Sequence, residues 1–405
     1  MRIAAWKGGS AWKPTPPPPI ASVTSIVRAV QEEGDAAVRR FANRFGDPVP
    51  RTLRTGQARI PADLRKALVL AASRIRRVAQ AQLPKGRRLK DENGEILLRV
   101  LPLDRVGVYV PGGRYPLLST VLMGVLPAKV AGVREVIVCT PNPTPEILAA
   151  AAVAGVDRVF AIGGAQAIAA MAAGTRMVPD VDKIVGPGNR WVAAAKKAVR
   201  DLGLCGIDGV AGPSELLVLA DASARPDWIV ADLLAQSEHD PDAKVALVTP
   251  SRTLAKHVVA EVQRRLRDLP TRAVAQVSLR RATIWIVRSM EEGIRLSEAT
   301  APEHVLLECV RAQAWAARLT RYGTLFVGPY SSVAFGDYVN GPNHTLPTDG
   351  TARWASGLNV TEFLRFAAVQ TLSREGARRL GPSARLLAEA EGLIGHRNAA
   401  GEREA

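Results

Sequence analysis

The feature that most constrains the fold of this chain is a regular alternation of two kinds of segment after Arg105. Short runs rich in Val and Ile, including VGVYV, REVIVCT, SELLVLA and KVALVTP, alternate with longer Ala-rich stretches of helical periodicity. Such apolar runs are typical of strands that are buried on both faces, because helices cover each side of a parallel sheet. Nine such runs in 405 residues favour two packed α/β domains over one nine-stranded sheet, with a break near VAGPSE at 210–215.

The chain is strongly basic, with a formal net charge of +16. A basic protein can bind nucleic acid, but here the basic residues are spread along the chain. The densest run, LPKGRRLK, contains no aromatic side chain that could stack on bases. We therefore expect a solvated basic surface and no nucleic-acid partner. Such a surface would also favour an anionic cofactor.

The sequence contains no pattern that indicates a membrane or an oxidising compartment. No apolar run is as long as a membrane span, and Trp, Lys, Gly and Pro interrupt the N-terminal segment, which therefore lacks the apolar core of a signal peptide. Cys139, Cys205 and Cys309 lie far apart without C-x-x-C spacing. This spacing predicts reduced thiols rather than a disulfide framework or a thiolate zinc site. We expect a cytoplasmic protein with no membrane partner.

The segments that flank the alternating region have different patterns. A Pro run at 14–19 separates a short N-terminal arm from a helical stretch, and a second helical pattern follows at about 62–82. Residues 331–360 are loop-rich, and a loop of this length inside a compact protein is usually functional. The tail from 361 onward is predicted to be helical.

Four of the five histidines stand near polar residues at the boundaries of predicted elements. The pairs are Gln236 with His239, Glu303 with His304, Asp337 with His344, and Glu391 with His396. The fifth, His257, lies in the amphipathic pattern LAKHVVAEV, and we interpret it as a surface or packing residue. A single histidine at an element end is more often a cap than a ligand, but four such positions together indicate a functional site.

Gln236 and His239 have a spacing that could serve a metal ion. Residues at i and i+3 share one face of a helix, so both side chains can reach one ion. Glutamine is an uncommon zinc ligand, and a helix cap is the alternative interpretation of this pair. If Asp337 and His396 join them, the donors are two imidazoles, a carboxylate and an amide oxygen. That set suits zinc or another borderline divalent ion and lacks the all-oxygen shell of magnesium.

Two further patterns suggest acid–base chemistry and a nucleotide. The adjacent Glu303 and His304 could act as two bases of different pKa, although a salt-bridged pair at a strand start is an equally open interpretation. Glycine turns between a strand and a helix occur at 111–113, 163–164 and 186–189. Each turn alone is a weak signal, but three in one domain favour a nucleotide or dinucleotide site.

Taken together, these motifs resemble the histidinol dehydrogenase family. The matching blocks run in the family's order from about 104 to 398, and they are VGVYVPGG, STVLMGVLPAKVAGV, IGGAQAIAA, VDKIVGPGN, AGPSELLVLAD, DLLAQSEHDPDAKV, APEHVLLE, GDYVNGPNHTLPT and EGLIGHRNA. The long blocks are highly specific. The departures are Ser237 where alanine is common, Asn359 where serine is usual, and an unusual Pro-rich N-terminal arm, and none of them falls on a transferred catalytic residue.

The resemblance implies a zinc- and NAD-dependent oxidation of L-histidinol to L-histidine through L-histidinaldehyde, the last step of histidine biosynthesis. It also implies an intertwined homodimer with one zinc ion per subunit. Each subunit is expected to contain two incomplete Rossmann-like α/β domains with parallel sheets and small helical N- and C-terminal segments. The expected division is an N-terminal arm at 1–24, a first α/β domain at 25–107 and 215–355 with the zinc and catalytic residues, a NAD-binding second α/β domain at 108–214, and a C-terminal helical segment at 356–405 that contributes to the partner's site.

The family's functional residues transfer to matching positions of this chain. The implied zinc ligands are Gln236, His239, Asp337 and His396, with His396 reaching the partner's site. The implied catalytic bases are Glu303 and His304. The implied NAD contacts are Tyr109, Gln166 and Asn189. The implied substrate contacts are the zinc ligands, His304, Ser214, His344 and Glu391.

Three other functions stay open at this point. A dehydrogenase of the same fold could oxidise another small polar alcohol such as a sulfonated diol, although Glu391 and His344 suit a cationic imidazole substrate better. A zinc hydrolase with Glu303 as its base would leave the glycine turns without a purpose. A regulatory nucleotide-binding protein would have no need of the intact Glu303–His304 pair. An assay of alcohols with NAD separates these functions.

Overall fold

The computed structural model describes residues 1–13, 15–16, 19–53, 55–56, 58–112 and 115–404. In chain order the strands are β1 (Arg2–Ala5), β2 (Thr52–Leu53), β3 (Arg87–Lys90), β4 (Gly94–Pro102), β5 (Arg105–Tyr109), β6 (Glu135–Thr140), β7 (Arg158–Ala161), β8 (Lys183–Val185), β9 (Gly206–Ile207), β10 (Glu215–Ala220), β11 (Lys244–Thr249), β12 (Thr283–Ile286), β13 (His304–Glu308), β14 (Thr324–Val327) and β15 (Leu364–Leu372).

The helices follow the strands in the alternation that the sequence predicts. They are α1 (Ile20–Glu33), α2 (Asp35–Phe45), α3 (Ala62–Gln82), α4 (Leu118–Ala131), α5 (Pro145–Ala154), α6 (Gly164–Ala173), α7 (Arg190–Asp201), α8 (Pro226–Ser237), α9 (Arg252–Leu266), α10 (Arg272–Arg281), α11 (Met290–Thr300), α12 (Ala312–Ala316), α13 (Val333–Tyr338), α14 (Arg374–Ala390) and α15 (Ile394–Gly401). Two short 3₁₀ turns lie at Thr351–Arg353 and Val360–Phe363. None of the described helices is both long and apolar enough to cross a membrane.

Two six-stranded sheets form the body of the molecule. Sheet 1 has the order β2-β7-β6-β5-β8-β9, and all its neighbours are parallel except the β2–β7 pair. Sheet 2 has the order β1-β12-β11-β10-β13-β14 and is parallel throughout. The prediction of an α/β fold with parallel sheets is therefore confirmed.

The central strands are buried on both faces, as their continuous apolar runs predict. In sheet 1, Val106 and Val108 of β5 pack with α3, α4 and α5, whereas Tyr109 faces the core under α1, α6 and α7. In sheet 2, Leu216 of β10 packs with α8, α9 and α10, and Leu217 packs on the opposite side with α11. Each sheet is thus the middle layer of a three-layer sandwich.

The packing of the N-terminal helices differs from the predicted domain division, which grouped 25–107 with 215–355. Helix α1 packs on α6 and α7, and α3 packs on α4, so both helices cover sheet 1. The position of a helix along the chain does not reveal which sheet it covers, because a helix with one apolar stripe can pack on either sheet.

The two terminal segments also contain strands that were not predicted. Residues 2–5 of the expected free arm form β1, which pairs in parallel with β12 at the edge of sheet 2. The expected helical tail begins with the nine-residue β15, which pairs antiparallel with β4 in a separate sheet of order β15-β4-β3. A short edge strand depends on its neighbour for its hydrogen bonds, so its own residues carry little signal.

Candidate active site

The Glu303–His304 pair lies where β13 begins in sheet 2. Both residues are almost fully buried, at 6% and 3% exposure. Nδ1 of His304 lies 3.0 Å from the carbonyl oxygen of Glu215 and 3.4 Å from Oε2 of Glu303, and both oxygens are acceptors. The proton of a neutral ring therefore belongs on Nδ1, which leaves Nε2 as the basic nitrogen.

The basic nitrogen of His304 faces a second carboxylate. Nε2 lies 3.7 Å from Oδ1 of Asp337, and the ring stacks on Phe326 with 5.9 Å between centroids. Burial lowers the pKa of His304, but the adjacent carboxylates of Glu303 and Asp337 outweigh it and raise that pKa to about 9. At neutral pH the imidazole therefore carries a proton on both nitrogens, and it accepts a proton from a bound molecule only after Nε2 has lost its own.

Asp337 is positioned by helix α13, which lies within the segment 331–360 that was predicted to be loop-rich. The hydroxyl of Ser332 caps the helix by accepting from the backbone N–H of Ala334. Oδ1 of Asp232, on α8, accepts hydrogen bonds from the Ser332 hydroxyl at 2.6 Å and from the backbone N–H of Val333 at 3.1 Å. The start of α13 is thus bound to α8.

His344 connects this region to the other half of the molecule. Its Nδ1 lies 3.0 Å from the carbonyl oxygen of Asp337, and its Nε2 lies 3.3 Å from the hydroxyl of Thr120 on α4. Burial lowers the pKa of His344, and the nearby His239 lowers it further, while Asp337 acts in the opposite direction. A neutral His344 therefore connects the Asp337 segment to α4, which covers sheet 1.

Gln236 and His239 stand at the end of α8. Gln236 is buried in the last turn, and the backbone N–H of His239 donates to the carbonyl oxygen of Gln236 at 3.4 Å. Glu238 points to a different partner, because its Oε2 accepts from the hydroxyl of Thr271 at 2.6 Å. Asp240 accepts from the backbone N–H of Asp242 at 2.9 Å, in a turn before β11. The sequence places both acids beside His239, but these contacts are structural.

One chain brings together only part of the predicted ligand set. Among the described residues there is no group of three or more His, Cys, Asp or Glu side chains that could hold a metal ion. His239, Asp337 and His396 therefore do not form a metal-binding group among the described residues of one chain. His396 lies on α15, which packs on α14, and both His396 and Glu391 are exposed.

The predicted cofactor contacts lie at the carboxyl edge of sheet 1. The hydroxyl oxygen of Tyr109 accepts from the backbone N–H of Gly164 at 3.1 Å, and burial raises the pKa of Tyr109 to about 12. Nε2 of Gln166 donates to Oδ2 of Asp47 at 2.6 Å, while Oε1 of Gln166 is buried without a hydrogen-bond partner. Asp47 was not predicted, since a lone acid after a helix gives no signal. An unpartnered buried acceptor is expected to meet a ligand.

The third glycine turn is held by a buried ion pair. Gly186 has a φ of 110°, and a Cβ there would lie 2.2 Å from the carbonyl oxygen of Tyr109. Nζ of Lys196 donates to the Gly186 carbonyl oxygen at 2.9 Å, and Oδ2 of Asp208 accepts from the Gly186 N–H at 2.8 Å. Lys196 and Asp208 also pair with each other in the interior. Only glycine fits this turn.

Asn189 and the first glycine turn are less informative. Oδ1 of the exposed Asn189 caps α7 by accepting from the backbone N–H groups of Trp191 and Val192, so a structural role accounts for its contacts. Gly112 packs tightly on Asn142, where a Cβ would lie 3.0 Å from the backbone nitrogen. Gly113 lies outside the described residues.

Ser214 and Glu215 precede and begin the central strand of sheet 2. The carbonyl oxygen of Ser214 accepts from the backbone N–H of Lys244 at 2.8 Å. Glu215 was not predicted, yet its backbone N–H donates to Oε2 of Glu303 at 2.7 Å. Burial raises the pKa of Glu215, Lys244 opposes the shift and Glu303 adds to it, giving a value of about 7.

The fold and site define an α/β enzyme with a buried acid–imidazole pair at the start of a strand in one sheet and glycine turns at the carboxyl edge of the other. The sequence matches the histidinol dehydrogenase family over residues 19–404. The chain belongs to this family, and its activity is that of an oxidoreductase of histidine biosynthesis.

Individual relatives agree with this assignment. A histidinol dehydrogenase of Thermus thermophilus is 49% identical over 92% of this chain and 92% of its own length. One from Chromobacterium violaceum is 46% identical over 94% of this chain and 91% of its own. The crystal structure of histidinol dehydrogenase from Elizabethkingia anophelis matches with a TM-score of 0.88 at 31% identity, covering 100% of this chain and 98% of that chain. The predicted family is confirmed, and the sulfonated-diol alternative is not favoured.

Proposed function

We propose that this enzyme oxidises L-histidinol to L-histidine in two successive steps at one site, transferring one hydride to NAD in each step. The observation that carries the proposal is the buried Glu303–His304 pair, with Nε2 of His304 facing Asp337. A proton acceptor and a potential water-activating carboxylate are adjacent there, as two chemically different steps require.

In the first step Nε2 of His304 takes the hydroxyl proton of the alcohol as hydride leaves the same carbon for the nicotinamide. The Nδ1–H bond to the Glu215 carbonyl keeps Nε2 free for this role. The neighbouring carboxylates then stabilise the imidazolium that forms. The product of this step is the aldehyde.

In the second step Glu303 assists attack of water on the bound aldehyde. Its Oε2 is engaged by the N–H of Glu215, so Oε1 is the oxygen that accepts the proton of water. His304 releases its first proton to solvent, and the hydrated aldehyde then transfers a second hydride to NAD and a hydroxyl proton to His304. Burial of both residues keeps the reactive aldehyde away from bulk solvent.

The donor types that the family assigns to this site suit a zinc ion. Gln236, His239 and Asp337 would supply an amide oxygen, an imidazole and a carboxylate, and His396 of the partner subunit would complete a four-ligand set with one ion per subunit. The ion would orient the amine and imidazole of histidinol, a positioning role. Ser214, His344 and the partner's Glu391 would contact the substrate. Tyr109, Gln166 and Asn189 would contact NAD.

The exposure of the C-terminal residues supports the proposal of a homodimer with crossing tails. Glu391 and His396 are exposed, and the same segment exposes Leu386 and Leu387 at 69% and 68%. A contiguous exposed apolar surface is expected to be covered by a partner. We place the enzyme in the cytoplasm, where its three free cysteines would stay reduced.

The test is an assay of NADH formation with histidinol, run before chelation, after chelation and after addition of zinc. We expect two NADH per histidinol, loss of the activity on chelation, and recovery with zinc. A sulfonated diol serves as the control substrate. One NADH per histidinol with released aldehyde would contradict the two-step mechanism, and oxidation of the diol without oxidation of histidinol would contradict the substrate.

A further inference from the structure

Glu215, the first residue of β10, makes hydrogen bonds to both residues of the catalytic pair. Its backbone N–H donates to Oε2 of Glu303 at 2.7 Å, and its own Oε2 accepts from the backbone N–H of Glu303 at 3.3 Å. Its carbonyl oxygen lies 3.0 Å from Nδ1 of His304. Glu215 is 1% exposed, so these contacts are shielded from water.

The strand register puts Glu215 in this position. In the parallel β10–β13 pair Leu216 stands opposite His304, which places Glu215 beside Glu303. On the other side, Glu215 stands opposite Lys244 of β11. The residue therefore lies between the catalytic pair and a lysine, in the centre of sheet 2.

The second oxygen of Glu215 is bound from the other side. Its Oε1 accepts from Nζ of Lys244 at 3.3 Å and from the backbone N–H of Asp349 at 3.2 Å. Lys244 also pairs with the carboxylate of Asp349, which accepts from the hydroxyl of Thr15 in the N-terminal arm at 2.7 Å. One buried carboxylate thus joins β13, β11 and the loop at Asp349.

The geometry requires a carboxylate at this position. Each oxygen of Glu215 faces at least one N–H donor, and a carboxylate accepts through both oxygens. A glutamine has the same shape but replaces one acceptor with an NH₂ group. That group would face either the N–H of Glu303 or the donors from Lys244 and Asp349. Glu215→Gln therefore nearly keeps the side-chain volume but loses the hydrogen bonds that one of the two oxygens accepts.

We propose that Glu215, supported by Lys244 and Asp349, is a positioning residue that holds Glu303 for the water-dependent second oxidation. The side chain of Glu215 binds the backbone of Glu303, whereas His304 is held by the Glu215 carbonyl, which a side-chain substitution retains. Loss of the Glu215 carboxylate therefore impairs hydration of the aldehyde more than oxidation of the alcohol. This proposal rests on the two-step function proposed above.

The experiment compares Glu215→Gln and Lys244→Met with the wild-type dimer loaded with zinc. Histidinol and histidinaldehyde are supplied separately in single-turnover reactions, and NADH and free aldehyde are measured. We expect the aldehyde step to slow about 10- to 100-fold, as a small misplacement of a reacting group does. The alcohol step, the KM for histidinol and the zinc content should change about twofold or less, and NADH per histidinol should fall below two as aldehyde escapes.

The matched control is Lys183→Met in sheet 1. The Lys183 side chain is 17% exposed and that of Lys244 is 15% exposed, and each pairs with a carboxylate, but Lys183 binds Glu362 away from the catalytic pair. The control variant should lose stability without changing the ratio of the two rates. If Glu215→Gln does not fold, Lys244→Met decides the question.

Three results would overturn the proposal for Glu215. These are equal slowing of both steps, an unchanged yield of two NADH in both variants, and a rate ratio in Lys183→Met that shifts as in Lys244→Met. Each differs from a failure of the proposed function, because in that case the wild-type enzyme itself would not form two NADH from histidinol.

Discussion

The catalytic pair and the C-terminal tail differ in how far their predicted site residues are buried. Glu303 and His304 are buried at the start of a central strand, and their hydrogen-bond partners are present in the same chain. Glu391 and His396 are exposed on a helical segment that packs mainly on itself. The fold of one chain organises the catalytic pair, whereas we propose that the tail functions against the surface of a second chain.

The physical basis of this difference is the support behind each group. Strand β13 has parallel neighbours on both sides, so its register fixes the start of the strand in the centre of sheet 2. The tail begins with β15, which pairs with β4, a strand without fully buried residues on either face. Phe366 and Leu372 of β15 remain exposed. A single chain therefore leaves the tail incompletely packed.

The largest expected effect comes from the buried side of this comparison. His304→Ala should lower kcat about 10²- to 10⁴-fold, since it removes the general base of both oxidations. The dimer and its zinc content should remain. His257→Ala, on the exposed face of α9, is the control and should keep full activity. Activity of His304→Ala within tenfold of wild type would mean that another group accepts the proton.

Subunit mixing tests directly whether the tail acts on the partner. His396→Ala and Glu303→Ala should each be nearly inactive as homodimers. Random mixing should restore about one quarter of wild-type activity, because about half of the dimers are mixed and each mixed dimer has one intact site of two. Verified heterodimers without activity would show that His396 serves its own chain. The proposed difference between the catalytic pair and the tail would then be wrong.

Disruption of the tail surface should separate folding from activity. The double variant Leu386→Asp, Leu387→Asp places charge on the exposed apolar face of α14 and should give a folded monomer with little activity. Light scattering measures the mass, and circular dichroism measures the fold. Val310→Asp, an exposed residue outside the tail, should stay dimeric and active. A fully active monomer would contradict a shared site.

The smallest expected effect concerns Asn189, an exposed residue that caps α7 on sheet 1 within its own chain. Asn189→Ala removes the cap of α7 and should cost about 1 kcal/mol of unfolding free energy. Ser251→Ala removes the equivalent cap of α9 and should cost about the same. Only Asn189→Ala should also raise the KM for NAD. Equal KM values in the two variants would leave Asn189 with a capping role alone.

The sequence predicted the elements better than their assembly. Continuous apolar runs identify most strands of both sheets, because a strand buried on two faces needs apolar side chains at every position. The same patterns did not show that α1 and α3 cover sheet 1, that residues 2–5 extend sheet 2, or that Val333–Tyr338 is a helix. These features depend on neighbours distant in the chain, and a six-residue helix has too few turns for a periodicity.

The sequence by itself determined the family, the residue types of the site and the position of the Glu303–His304 pair at a strand start. Local order and motif spacing carry that information. Only the tertiary structure revealed that Glu215 binds both residues of the pair and that Asp47 binds Gln166. It alone also showed that His239, Asp337 and His396 form no metal-binding group among the described residues of one chain. The contacts of Glu215 and Asp47 arise from strand register and helix packing, which bring together residues that no spacing along the chain relates.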